Sequence, residues 1–389
     1  MRILIITNLF STERHPGGGT FISQRVDAHR KMGNSVQVVC VATTITQPLA
    51  WILSAFDRGS TRQLQPPMHL EIPAVVPLLD RLHPKFLPYP RLNRMAAVVD
   101  RLHQITDPTA FDVIHAHGMY AVPAGAVASH VSAKSGTPYV ITAHGSDINV
   151  LMPHRAKEYA SVLDSAGAVL YVSGALRERA HVLGAKGRNA WVIPNGVNCD
   201  LFHPAATPTR GFTEFPLVLY VGNLAHVKGA DRLPAIFEGI AAALPGARFI
   251  VAGDGPMRGA IEGAVNRDNT TLLGQVAPER VPELMKMADL MVLPSRNEGW
   301  PCVVLEAYAC GTRVLGSDAG GIPEVISDSR FVVAGGPALI ERFVDAAVAV
   351  LRSPADVGRL RSRALGYTWS AIVRRETEVL GEVVSSRRL

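Results

Sequence analysis

The chain has 389 residues, 48% of them hydrophobic and 19% charged, with a formal net charge of +6. That length suits about two to three domains, and the apolar fraction lets each half bury a core. Four scattered cysteines, Cys40, Cys199, Cys302 and Cys310, form no Cys-x-x-Cys pair and exclude a zinc or disulfide framework, while no apolar run reaches the roughly 18 residues that span a bilayer.

The opening apolar run, residues 3–6, is too short for a secretory signal, so a cytoplasmic protein is expected. Charge is uneven: residues 1–205 hold 19 Lys and Arg against 13 Asp and Glu, and the rest holds 20 of each. The excess therefore lies in the first half. It favours an anionic partner there, such as a membrane surface, a lipid phosphate or nucleic acid.

In chain order, short Val/Ile/Leu runs at 2–7, 35–41, 112–115, 139–143, 168–172 and 191–193 read as strands. Helical patterns at 21–32, 95–105, 122–134 and 176–183 alternate with them. This rhythm predicts a parallel sheet covered on both faces. It restarts after Pro216, with strands at 217–221, 248–252, 271–273, 290–293, 313–316 and 331–333. Helices follow at 230–243, 257–265, 278–287, 301–310 and 339–351. The fold class is α/β, with two Rossmann-like doubly wound domains at 1–198 and 216–366. The aperiodic, Pro- and Thr-rich stretch 199–215 joins them. One stretch, 46–94, breaks the rhythm: eight prolines exclude long helices from most of it, and apolar residues stand beside Arg81, Lys85, Arg91 and Arg94. It reads as a surface insertion, or one that faces a membrane or an acceptor.

Ligands in open α/β sheets bind beyond the carboxyl ends of strands. After the first strand, Gly17, Gly18 and Gly19 precede a helix start, a setting that fits an anion. Neither Gly-x-Gly-x-x-Gly nor a P-loop occurs. Two later strand ends carry His115-Ala116-His117-Gly118 and Thr142-Ala143-His144-Gly145-Ser146-Asp147, which read as a cleft wall. In the second half, strand 217–221 runs into Gly222-Asn223 and then Lys228, one of two lysines after residue 205. A lysine before a helix start suits a phosphate clamp. Strand 248–252 ends in Gly253-Asp254-Gly255-Pro256.

The strongest constellation is 294–301, continuing to Glu306. Glu298 follows an apolar strand, and Pro301 marks a first helical turn whose amides suit an anion. Glu306 is the only charge between Pro301 and Gly311; such a carboxylate is costly unless it is hydrogen-bonded or faces a site. The two carboxylates suit separate hydroxyl-holding roles. No Asp-x-Asp occurs, so a diphosphate would be neutralised by Lys228 and helix ends, with no metal required.

At this point the chain resembles the retaining glycosyltransferases of the GT4 type (glycosyltransferase group 1), which have the GT-B fold. The resemblance rests on Glu-x7-Glu (Glu298 and Glu306), the glycine loop 17–19, HAHG, TAHGSD, PNGVN, VGNLAHVKG, GDGP, LGQV, LPS and GGIPE, in family order along nearly the whole chain. It implies two domains facing across a cleft, with 367–389 a terminal helix crossing back to the first. It implies a nucleotide-diphosphate sugar as donor and no cofactor. Glu298 would hold a sugar hydroxyl, and the backbone of Gly299, Trp300, Pro301 and Cys302 would steady sugar and phosphate. Glu306 would hold the ribose, Lys228 the diphosphate, and His144 the reacting face of the sugar. Gly17 to Gly19 would close over the phosphates and the acceptor. The base would stack near Gly253 and Gly255 and meet backbone at Gln275 and Val276. Asn223 stands where the family often has Arg, so diphosphate clamping falls more on Lys228 and the helix ends, beside Gly222; Asn198 replaces a common Asp. The acceptor would be lipid-linked or a polysaccharide, as in cell-envelope or exopolysaccharide synthesis, and the basic half would meet an anionic membrane surface as a peripheral contact. Rival readings are a nucleotide-sugar epimerase on the same fold and a non-catalytic sugar-nucleotide or membrane module. Nucleic acid is not expected, because no recognition motif accompanies the basic half.

Overall fold

Short aliphatic runs with little polar interruption can be buried on both faces, and here they pair in parallel. The computed structural model describes residues 1–10, 19–45, 68–74, 95–120, 123–187, 189–204 and 215–386. Contacts divide the chain into two units. The first comprises Met1–Val172, Leu176–Ile193 and Val373–Leu389; the second comprises Ser173–Ala175 and Pro194–Ile372. The division thus falls at Ile193/Pro194, ahead of the sequence-based boundary at Asn198, because Pro194–Ile372 packs within itself: Gly196 lies against Trp369, and Val197 bridges to Thr368.

The first unit holds β1 (Arg2–Thr7), β2 (Ser35–Ile45), β3 (Met68–Ala74), β4 (Val113–His117), β5 (Tyr139–Ala143), β6 (Ala168–Tyr171) and β7 (Ala190–Val192). Among the described residues these form one parallel sheet in the order β3-β2-β1-β4-β5-β6-β7. Ile3 to Ile6 in β1 are fully buried, as a central strand requires. Helices α1 (Thr20–Lys31), α2 (Met95–Ile105), α3 (Ala124–Ser135), α4 (Ala156–Asp164) and α5 (Gly174–Val182) connect the strands. The strand β3 was not foreseen, since it lies inside the Pro-rich stretch and contains Pro73. An edge position explains it, because an edge strand tolerates a missing N–H. The rest of that stretch, 46–67 and 75–94, lies outside the described residues, as do Gly17, Gly18 and residues 205–214.

The second unit holds β8 (Leu217–Val221), β9 (Arg248–Ala252), β10 (Thr270–Gly274), β11 (Leu290–Leu293), β12 (Arg313–Ser317) and β13 (Val332–Val333) in the order β10-β9-β8-β11-β12-β13, all parallel. Helices α6 (Leu233–Ala243), α7 (Arg258–Ala264), α8 (Val281–Met287), α9 (Cys302–Cys310), α10 (Ile322–Ile326), α11 (Leu339–Leu351) and α12 (Val357–Leu365) belong to it. Its core joins Val218, Tyr220, Phe237, Phe249, Leu290 and Phe343. The last helix, α13 (Trp369–Ser386), places most of its length, from Val373 on, in the first unit.

Each sheet reverses strand order once, between β1 and β4 and between β8 and β11. Loops leaving the carboxyl ends of two such strands diverge to opposite sides and leave a crevice. The polar motifs after β4, β8 and β11 stand at those points.

Candidate active site

In the second unit the crevice is built from backbone first. Gly229 adopts a left-handed conformation (φ 68°), and a Cβ there would lie 1.9 Å from the Pro294 carbonyl oxygen. Only glycine lets the loop after β8 come this close to the loop after β11. Arg296 N–H donates to the Val227 carbonyl at 2.8 Å and secures the approach. Arg296 also grips Asp231 through two bonds of 2.6 and 2.7 Å, and Arg232 donates to the Pro294 carbonyl at 2.7 Å.

This contact brings Lys228 onto Glu298. Nζ donates to both carboxylate oxygens, at 2.9 and 2.8 Å, and Ser295 Oγ donates to Oε1 at 2.9 Å. Ser317 Oγ, at the end of β12, donates to the Ser295 carbonyl. Glu298 is 9% exposed whereas the Lys228 side chain retains 36%. A second glycine pair closes the floor: Gly321 N–H donates to the Glu298 carbonyl at 3.0 Å, and a Cβ on Gly320 would lie 2.1 Å from that oxygen.

Beyond Glu298 the chain passes Gly299 and buried Trp300, whose ring meets Tyr367 at 5.5 Å between centroids and whose Nε1 has no partner. Pro301 then caps α9. The opening amides of a helix have no acceptor within it and carry the positive end of its dipole. Glu306 lies one turn on, half-buried, with no hydrogen bond or ion pair among the described residues; burial pushes its carboxyl up to about 7.

The neighbouring strand ends complete the rim. Gly222 N–H donates to the Ala252 carbonyl at 3.0 Å, Leu224 N–H to the Asp254 carbonyl at 2.9 Å, and Gly253 N–H to the Gly274 carbonyl at 2.8 Å. A Cβ on Gly255 would lie 2.3 Å from Asn223 Oδ1. Gly222, Asn223, Gly253 and Gly255 thus meet, and exposed Gln275, with Val276 after it, follows directly from Gly274. Lys228, Glu298 and the sequence-selected glycines of this half follow the carboxyl ends of β8, β9 and β11, while Glu306 lies on α9 itself.

In the first unit, His144 follows β5 and is half-buried, its ring 4.9 Å from that of Phe21. Its N–H and those of Gly145, Ile148 and Met119 all donate to the buried Asp147 carboxyl. Burial pushes that carboxyl up and the amides oppose the shift. His144 Nε2 lies 3.2 Å from His117 Nδ1. Burial, then the cationic neighbourhood, holds both imidazoles well below the usual histidine range. Gly19 is left-handed (φ 68°) and opens α1.

The sequence reading missed Glu376, Arg25 and His29, all fully buried around His115. One signal was available: Ile22, Arg25, Val26 and His29 fall on a single face of α1, so the two basic groups share the core-facing side. A second signal lay in α13: Glu376 falls on the apolar stripe Ile372, Val373, Val379 and Leu380, unlike Glu378 and Glu382.

Comparison with known proteins places these features in a family. The pattern described as "Glycosyl transferases group 1" matches residues 208–364, and that described as "Glycosyltransferase Family 4" matches 17–201. A Bacillus subtilis glycosyltransferase assigned to teichuronic acid biosynthesis is 32% identical over 345 residues, covering 86% of this chain and 85% of its own length. Among solved structures, sucrose-phosphate synthase from Thermosynechococcus elongatus aligns with a TM-score of 0.73 at 18% identity, over 99% of this chain and all of its own. The Anabaena protein HepE, solved in complex with UDP and glucose, aligns with a TM-score of 0.71 at 17% identity, over 98% of this chain and all of its own.

Proposed function

Because the chain belongs to the group 1 (GT4-type) glycosyltransferases, and is itself a glycosyltransferase of GT-B fold, we propose that it moves a hexose-type sugar from a nucleotide-diphosphate sugar to a lipid-linked or polysaccharide acceptor with retention of anomeric configuration. The observation that carries the reading is the Lys228–Glu298 pair beside the opening turn of α9. Lys228 pairs with Glu298, and a bound diphosphate would compete for the same ammonium. The ammonium and the helix end take the diphosphate, and Glu298 accepts from a sugar hydroxyl. Glu306 accepts from the ribose hydroxyls. Gln275, Val276, Gly253 and Gly255 border the base, with Gly222 and Asn223 beside the phosphates. Gly299, Trp300, Pro301 and Cys302 supply backbone to the sugar, and Gly17 to Gly19 serve the phosphates and acceptor. His144 serves the reacting face of the sugar.

In the transfer, the bond between the anomeric carbon and the phosphate oxygen breaks and one to the acceptor oxygen forms. The departing phosphate oxygen takes the acceptor's proton. Positioning and stabilisation of the leaving diphosphate supply the rate. The complex of HepE with UDP and glucose supports a uridine nucleotide, and the Bacillus relative supports a polysaccharide product. The basic surplus of residues 1–205 supports contact with an anionic membrane surface on the cytoplasmic side. Among the described residues no helix is long and apolar enough to cross a membrane.

A panel of nucleotide sugars with candidate acceptors, read by mass spectrometry and by the anomeric coupling in the product, tests this reading. One donor is consumed only with acceptor present, and its anomeric configuration persists. Glu298→Gln and Lys228→Ala each lower turnover by roughly a hundredfold. Unchanged turnover and donor binding in both variants overturns the site; epimerised donor without acceptor overturns the reaction.

A further inference from the structure

Behind His144 runs a line of buried groups that the transfer chemistry does not call upon. It starts at Glu376, whose side chain is fully buried. Arg25 Nη1 lies 3.4 Å from Oε2, and His29 Nε2 lies 2.8 Å from Oε1. His115 Nδ1 lies 3.2 Å from the same oxygen, and its Nε2 is 2.7 Å from Thr142 Oγ1. The His115 and His117 rings are 4.2 Å apart at an angle of 37°, and His117 meets His144.

The proton positions along this line follow from Glu376. Burial opposes its charge, but Arg25, His115 and His29 outweigh that and hold the carboxyl well below its ordinary range. An ionised carboxylate only accepts, so His29 presents Nε2–H to it and leaves Nδ1 to accept from Asn34 at 3.3 Å. His115 Nδ1 stands 3.2 Å from the carboxylate, out of line for a hydrogen bond. A bare nitrogen there would set its lone pair against the negative charge, so the ring carries its proton on Nδ1. Its bare Nε2 then accepts from the Thr142 hydroxyl, which faces Arg25 with its lone pairs, 3.5 Å from Nη1. Between His117 and His144 one proton is shared. His117 is fully buried, and among the described residues neither its Nε2 nor His144 Nδ1 has a hydrogen-bond partner. A bare ring nitrogen is cheaper to bury than an unpaired N–H. Either arrangement leaves one N–H unpaired, and of the two rings only His144 is partly exposed, where a bound substrate can satisfy it. The shared proton therefore sits on His117 Nδ1, pointing at His144 Nε2, and His144 carries its own on Nδ1.

We propose that Glu376 is a positioning residue for glycosyl transfer: it holds the His115 ring, and through the packing of His115 on His117 it fixes the ring orientation of His144. The proposal rests on the reading that His144 serves the transferred sugar. Without the carboxylate, the buried Arg25 charge acts on the imidazoles unopposed, and His115 is free to turn over and carry the His117 stack with it.

Long-range nitrogen-15 spectra of histidine-labelled wild-type protein test the arrangement directly. The expected forms are Nε2–H for His29 and Nδ1–H for His115 and His144. Glu376→Gln is expected to shift the His144 ring signals and lower kcat about tenfold, with KM within about twofold, on the scale seen when the outer partner of a working histidine is removed. If that variant fails to fold, Arg25→Met/Glu376→Leu removes both ions together, leaves no buried charge uncompensated, and carries the same two expectations. An Nε2–H form of His115 in the wild type overturns the proposal. So does a folded variant whose His144 signals and kcat are unchanged while His144→Ala is inactive. Full activity of His144→Ala would instead sink the role given to His144 above, and the spectra still decide whether Glu376 fixes its ring.

Discussion

Glu298 and Glu376 are both buried carboxylates paired with a cation, one in each unit, and they differ in what their cation can do. Lys228 retains 36% of its side-chain exposure and reaches Glu298 by a flexible stem; Arg25 retains none. An ammonium at the edge of a crevice can be redirected to an incoming anion at little cost. A guanidinium sealed in a core cannot move without leaving charge uncompensated. The same ion-pair chemistry therefore yields an exchangeable contact in one place and a fixed one in the other. The partners repeat the contrast: Glu298 is supported by Ser295, on its own loop, whereas Glu376 collects groups from α1 and β4.

The largest effect should come from breaking the sealed pair. Glu376→Leu alone leaves Arg25 buried without its carboxylate and should cost about 3–5 kcal/mol, measured by urea unfolding. Lys228→Ala should cost no more than about 1 kcal/mol, since its partly exposed pair is screened by solvent. Comparable losses would erase the distinction. Next comes Gly229→Ala. Its positive φ and the Pro294 carbonyl 1.9 Å from the new Cβ should cost about 1–3 kcal/mol in the same assay, and donor affinity should fall because Lys228 moves with the loop. A smaller effect is expected at Glu306. Its carboxyl is raised from 4.5 to about 7, so the folded state binds a proton that the unfolded chain releases. The associated stability is present below about pH 4.5 and is lost as pH rises through about 7. Glu306→Gln should therefore raise the melting temperature more at pH 8 than at pH 5. Donor hydroxyls favour the ionised carboxylate, so wild-type affinity should rise between pH 5.5 and 7.5 and that of Glu306→Gln should not. A pH-independent difference in melting would show that the carboxyl is already ionised in the free protein.

The exchangeable contact was far more legible in the sequence than the sealed one. Strands 2–7, 139–143, 217–221, 248–252 and 290–293 coincide with those observed, because a run of aliphatic residues that must be covered on both faces has few other options. Lys228 and Glu298 stood out because each breaks such a run at its carboxyl end, where the fold puts ligands. The helix α12 was missed: its five-residue gap after α11 and Asp356 cap gave a start, but Arg359, Arg361 and Arg363 obscure its apolar face. Glu376 shows in the sequence as a carboxylate on an apolar helix face, but the groups it pairs with do not. Its partners lie 261 and more positions away in sequence and converge only through sheet order, which no local pattern encodes. Ser295 was within the marked loop, yet its bond to Glu298 depends on a turn whose shape is set by Gly229 and Gly320.

The smallest expected effect concerns metal. A diphosphate must be neutralised by something, and this chain offers Lys228, the opening turn of α9 and other helix ends, with Asn223 adding no charge. There is no Asp-x-Asp, and among the described residues no group of three or more His, Cys, Asp or Glu is placed to hold an ion. Turnover should therefore change by less than about twofold in excess chelator, a loss too small for a site in which a divalent ion carries the leaving group. Salt should act instead. Lys228 is partly exposed, so raising ionic strength from 0.05 to 0.5 M, concentrations chosen to shorten the Debye length from about 14 to about 4 Å, should weaken donor binding in the wild type and do so less in Lys228→Ala. Chelator-sensitive turnover with salt-insensitive binding would move the work of neutralisation to a metal. It would leave the Lys228–Glu298 contact as fixed as the one around Glu376, and the difference between the two units would lie only in their exposure.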